Sequence, residues 1–239
     1  MKRETQNILL ILLGGALVKI AVNGDYLRYV KPAQQPWIIA GGGVMVLLGA
    51  VAIVRDLVTA RQAVPHEHDG HTHSARPAWL LLVPVLAVFL VAPPALGADS
   101  VLRTEARAPA SAAVANAVAF PPLPAGNVVP LPVNEFVSRA GWDAAGTLNG
   151  RTVSLTGFVV HTGGSTLLAR LVISCCAADA FPVTVRLRGG EAGHFASDAW
   201  IRVTGQVVPG TATKDNSYTP DFAPVSVTPV PTPKDPYEY

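Results

Sequence analysis

The sequence predicts a membrane-anchored α + β protein, with about three N-terminal transmembrane helices followed by a small C-terminal all-β barrel. Three observations carry this. Of 239 residues, 50% are hydrophobic and only 14% are charged, whereas a soluble domain is about a quarter charged. The apolar excess is gathered into long runs before residue 100. From Gly150 onward the spacing of apolar residues switches to period two, in four or five short runs rich in β-branched side chains.

The first span is expected over residues 8–26. Its apolar run, Ile8 to Val22, follows Lys2 and Arg3, which is also how a signal peptide begins. Lys19 interrupts the run, no small-x-small cleavage site follows it, and further apolar segments come later, so a retained helix is the better reading. Lys19 can lay its stem in lipid and lift its ammonium to the interface. Tyr26, Tyr29 and Trp37 then supply the amphipathic rings that a membrane surface selects. The second span, residues 37–54, has 18 residues, which at ~1.5 Å each cover most of a ~30 Å hydrocarbon core. Gly14, Gly15, Gly41, Gly42, Gly43 and Gly49 remove bulk along these helices and predict close helix packing, within the chain or against another subunit.

A polar loop follows, and residues 65–73 hold His66, His68, His71 and His73, four of the six histidines in the chain. Imidazole is the commonest ligand for zinc, nickel and copper, and Glu67 and Asp69 could add oxygen donors. The alternative is a solvated linker. A third span is expected over residues 79–98, kinked at Pro84 and losing regular helix at Pro93-Pro94. With the N-terminus inside, cytoplasmic segments hold Lys2, Arg3, Arg55, Arg61 and Arg76 against Arg28 and Lys31 outside. That bias puts the His-rich loop in the cytoplasm and the C-terminal domain on the extracytoplasmic side of a multi-pass protein of the cell membrane.

Residues 99–129 are rich in Ala and Pro and read as an extended linker. Val133 to Trp142 shows helical spacing and predicts a short helix at the start of a β domain over residues 130–228. Strands are expected over residues 151–161, 166–174, 182–188 and 200–208, with a shorter one at 223–227. Gly157 and Gly205 end two runs of similar form, and a glycine there often marks the bend of a curled strand. The arrangement resembles an OB-fold barrel, with His194 in a short insert between strands. Residues 229–239 form a Pro-rich tail expected to run extended along the barrel or toward a partner.

Both cysteines of the chain are adjacent, in Cys175-Cys176-Ala177-Ala178-Asp179. Two thiolates with Asp179, and His161 or His194 as further candidates, would offer zinc or Cu(I) a soft site. A disulfide between neighbours is strained, because Cα atoms ~3.8 Å apart fall below the usual bridged range; such a bond suits a redox switch. Burial at a strand end is the third reading.

Other classes are disfavoured. From Gly126 onward there are eight Lys/Arg against nine Asp/Glu, a net of −1, where a nucleic-acid surface needs clustered cations. No Gly-x-Ser-x-Gly elbow, phosphate-cradling glycine loop or His-Glu-x-x-His is present, so an enzyme is not expected. The apolar runs of the expected spans, Ile8 to Val22, Trp37 to Val54 and Trp79 to Ala98, carry no acidic residue, which makes a stand-alone transporter a poor fit.

The hydrophobic spans with the Gly24-to-Pro32 loop, Cys175-Cys176-x-x-Asp179-x-x-Pro182, the Trp200-to-Gly205 strand and the closing Pro236-Tyr237 together resemble the YcgQ-like family of bacterial membrane proteins. That resemblance covers most of the chain. It implies an accessory subunit beside a multi-span YcgR-like permease, with transport of a transition metal, zinc foremost, as its setting. The expectation is therefore a non-enzymatic permease subunit binding metal at Cys175, Cys176 and Asp179. A thiol-redox protein and a structural docking module are the rivals.

Overall fold

The computed structural model describes residues 3–62, 83, 86, 87, 90, 91, 94–104 and 120–239. The chain divides into two compact units, Met1–Pro94 and Ala95–Tyr239.

The first unit is a helical hairpin, α1 (Arg3–Asn23) and α2 (Gln35–Gln62). Both are long and apolar enough to cross a membrane. Glycine sets their approach. A Cβ on Gly14 would lie 2.6 Å from the Gly42 carbonyl oxygen, one on Gly42 2.8 Å from that of Gly14, and one on Gly49 2.6 Å from Ile11. Backbones this close gain dispersion contacts that larger side chains would forbid. Gly15, Gly41 and Gly43 face open space instead. The Gln35 amide donates to Ala21 O at 3.0 Å, and the Asn7 amide donates to Asp56 Oδ2 at 3.3 Å. Of the expected third span, Val83, Leu86, Ala87 and Leu90 are helical and Val91 N donates to Ala87 O at 2.8 Å; its positions 79–82, 84, 85, 88, 89, 92 and 93, and the His-rich loop 65–73, lie outside the described residues.

The second unit opens with α3 (Ala98–Arg103), then β1 (Val129–Pro130), α4 (Val133–Trp142), β2 (Val153–Thr162), β3 (Ser165–Val172), β4 (Phe181–Leu187), β5 (Trp200–Val208), β6 (Asp221–Pro229) and β7 (Tyr237–Glu238). The strands form one seven-stranded mixed sheet. β2 pairs antiparallel with β5 through its first half and with β3 through its second. β3 continues antiparallel to β4, β5 runs antiparallel to β6, and β4 meets β6 in a short parallel pairing at Arg186 and Leu187. Gly157 sits where β2 turns from one partner to the other. A Cβ there would meet Ala169 O at 2.6 Å, and one on Gly205 would meet Ala223 O, beside the register shift in β5–β6.

α4 covers the main core. Its Val133, Phe136 and Val137 pack on Leu155, Leu168, Val185, Ile201, Val203 and Phe222, with Phe136 edge-on to Phe222 at 5.5 Å. Alternation along the strands supplies this face. Phe158-Val159-Val160 and Leu171-Val172-Ile173 break the alternation because both sheet faces are covered there. On the second face Ala98 and Val101 of α3 pack against Phe158, Val160, Leu171, Ile173 and Tyr237.

α3 differs from the expected course of the chain. The third span was to run to Ala98 and an extended linker from Asp99, yet the chain from Ala95 belongs to the β unit. Tertiary anchors impose this. Asp198 Oδ1 accepts from Ala98 N at 2.6 Å, and the Tyr237 hydroxyl accepts from Leu96 N at 3.2 Å. Residues 105–119 of the expected linker lie outside the described residues. The Pro-rich tail ends as a strand, β7, parallel to β3. It is fixed by the Glu238 carboxylate, which accepts from Val133 N at 2.9 Å and Asn134 N at 2.7 Å at the start of α4.

Candidate metal centre

The cysteines sit where β3 leaves the sheet. Ile173, fully buried, donates its N–H to Glu238 O at 3.0 Å and is the last anchored residue. Cys176 is extended (φ −153°, ψ 168°), and a 3-10 turn over Ala177–Asp179 follows, closed by Asp179 N donating to Cys176 O at 3.0 Å. Ala177 and Ala180 pack on the α3-side cluster and hold this turn against the domain. Asp179 then folds back. Its Oδ1 accepts from Ser174 N at 2.9 Å and its Oδ2 from Cys175 N at 2.8 Å. An aspartate bonding backbone amides of its own turn is a local device that fixes side-chain direction.

The fold-back brings three donors together. The ligand atoms of Cys175, Cys176 and Asp179 lie within 4.8 Å of one another, and among the described residues this is the group whose His, Cys, Asp or Glu atoms converge in a way that could hold a metal ion. The two Sγ atoms are 3.7 Å apart, well beyond the ~2.05 Å of a disulfide, and both cysteines are free. Cys175 and Asp179 are exposed and Cys176 is half-buried.

Electrostatics favours a cation here. A hydrogen bond to Asp179 pushes the Cys175 thiol up to about 11, helped by its bond to Cys176. The same bond from Cys175, with the backbone N–H donors of Ser174, Cys175 and Cys176, holds the Asp179 carboxyl below its ordinary range. At neutral pH the cluster thus sets a carboxylate against the protonated Cys175 thiol, and a soft cation can take the place of the shared proton. The three donors found among the described residues would leave a tetrahedral ion one open position.

The other expected ligands are placed differently. His161 lies at the far end of the β2–β3 hairpin, opposite Thr166, with Nε2 2.8 Å from Phe195 O. The cysteines follow Val172, six strand steps away, ~20 Å at ~3.3 Å per residue. His194 ends the 3-10 turn Glu191–His194 before β5, in the short insert expected for it. Neither histidine joins the cluster. His66, His68, His71 and His73 lie outside the described residues.

One pair of charges escaped the sequence reading. Arg170 and Glu238, each with only 10% of its side chain exposed, form an ion pair at 3.4 Å. Arg170 Nη2 also donates to Tyr237 O at 2.9 Å, and its guanidinium lies 4.9 Å from the Trp200 ring centroid. The signal was present: a lone arginine inside the apolar run Leu167 to Ile173 needs a buried partner.

Residues 143–239 match the DUF1980 C-terminal domain. No curated protein and no solved structure matches the chain.

Proposed function

We propose that this chain is a membrane-anchored accessory subunit of a multi-span permease, of the YcgQ-like kind, and that its C-terminal domain binds a transition metal, zinc or Cu(I), through Cys175, Cys176 and Asp179. The observation that carries this is the convergence of two thiols and a preset carboxylate within 4.8 Å on an exposed turn. The open fourth position favours a site that receives and releases an ion over a structural site, which uses four protein ligands. Two apolar helices support the membrane anchor. The DUF1980 match over residues 143–239 is compatible with the family reading. The ring of pairings β2–β3–β4–β6–β5–β2 supports reading the sheet as a small OB-like barrel. An extracytoplasmic position of this domain and a third span rest on the Lys/Arg bias and the apolar run of residues 79–98.

The thiol-redox reading is weaker. A reactive thiol is activated by a lowered pKa, and that of Cys175 is raised; a metal must displace the same proton, but it puts a positive charge in its place beside Asp179. The test is co-purification of the full-length chain with its neighbouring permease, followed by elemental analysis. The proposal expects both proteins together and a metal content that falls when Cys175→Ser and Cys176→Ser are combined. Recovery of the permease without the chain would remove the partner claim, and unchanged metal content would remove the ligand claim.

A further inference from the structure

A second candidate site shares no residue with the cysteine cluster. A cavity of about 660 Å³ opens on the side of the β unit where β1, β2, β5 and the tail meet. Its apolar wall is Leu131 with Pro130, Pro132 and Pro233, a rigid surface that loses little entropy when it is covered. Its polar wall is Ser154, Thr156, Arg170, Arg202 and Glu238. The cleft is more open than enclosed, and its volume, apolar wall and few converging polar groups suit a ligand that lies along it with one face covered.

The charges select the ligand. Arg170 is spent on Glu238 and Tyr237 O, although its buried Nε has no hydrogen-bond acceptor. Arg202 is exposed on β5, its Nε lies 3.5 Å from Thr156 Oγ1, and among the described residues it has no carboxylate partner. Two guanidinium groups and one carboxylate leave this wall one net positive charge. A dianion would meet Glu238; a single negative charge is balanced. A carboxylate can take both oxygens' bonds from a planar guanidinium and a neighbouring hydroxyl, while its apolar body lies on Leu131 and the prolines.

We propose that this cavity binds an amphiphilic monocarboxylate, held at its charged end by Arg202 with Thr156 and Ser154. The carboxylate belongs either to a free organic acid or to the C-terminus of an apolar peptide. This proposal does not rest on metal binding at Cys175, Cys176 and Asp179.

The test is calorimetric titration of the full-length protein in lipid nanodiscs with hexanoate, hexan-1-ol, inorganic phosphate, and a leucine-terminated tripeptide as free acid and as amide. At least one carboxylate is expected to bind saturably, with hexanol, phosphate and the peptide amide each about tenfold weaker or absent, as loss of a charge-assisted hydrogen bond predicts. Tighter binding of the peptide acid identifies a peptide terminus; equal or tighter binding of hexanoate identifies a free acid. Arg202→Gln, at an exposed position, should weaken binding about tenfold or more. Ser154→Tyr should abolish it by filling the cavity, with the circular dichroism of both variants unchanged. Absence of saturable carboxylate binding below about 10 mM, phosphate binding as tight as either carboxylate, or full affinity in folded Arg202→Gln would each overturn the proposal.

Discussion

Asp179 organises the cysteine turn through the amides of Ser174 and Cys175. Its low carboxyl pKa means that the turn gains stability above the ordinary carboxylate range and loses it as pH falls through the folded value. For Cys175 the sign is opposite: the bonded thiol is stabilising below the ordinary thiol range, and that contribution is lost as pH rises through about 11. In metal-free protein, alkylation of Cys175 should therefore be slow at neutral pH and accelerate only near pH 11, whereas Asp179→Asn should move the transition down toward ~8.5. Rates followed by mass spectrometry decide it; a wild-type transition already near ~8.5 contradicts the Asp179 bond. Glu238 makes a different prediction. Burial raises its carboxyl pKa, against the Asn134 N–H and Arg170, which lower it. Glu238→Ala would leave the Arg170 guanidinium buried without its carboxylate and free two N–H groups of α4, so denaturant unfolding should show a loss of about 3–5 kcal/mol. A loss below about 1 kcal/mol would mean that the seam does not depend on this pair.

The strands were legible because one buried face imposes period two, and five runs in the sequence correspond to β2 through β6 within one or two residues at most ends. Gly157 and Gly205 were singled out in the sequence as bends; contact distances give the need for glycine, since neither strand tolerates a side chain there. Gly157→Val should destabilise the β unit by about 3 kcal/mol in denaturant titrations followed by tryptophan fluorescence; stability within about 0.5 kcal/mol of wild type would contradict the close approach. α3 was not legible. Six residues span fewer than two helical turns, too few for periodicity, and Asp198 and the β2–β3 face hold the segment in place. Its trace lay elsewhere, in Phe158-Val159-Val160, a run that needs cover on both faces. The α1–α2 hairpin was half legible. Glycine enrichment predicted close packing, but only the structure separates Gly14, Gly42 and Gly49, which meet the partner helix, from Gly15, Gly41 and Gly43, which do not.

In the whole molecule, sequence order carried the larger plan: apolar helices first, then a β unit closed by its own tail. It could not carry the choice among ligands. His161 and His194 were further candidates beside Asp179 on paper, and the topology separates His161 from it, because β3 runs away from the hairpin that holds His161 toward the cysteines. Among the described residues only Asp179, three residues along the same turn from Cys176, joins both thiols. The account therefore stands or falls on whether those three side chains hold an ion. The direct measurement is a cadmium titration of the full-length protein carrying His66→Ala, His68→Ala, His71→Ala and His73→Ala, read by cadmium–thiolate ultraviolet absorption. The account predicts a saturable thiolate signal at one ion per chain, competed by zinc, weakened about tenfold or more by Asp179→Ala and abolished by Cys175→Ser with Cys176→Ser. No thiolate signal at saturating cadmium, or an affinity indifferent to Asp179, would contradict it.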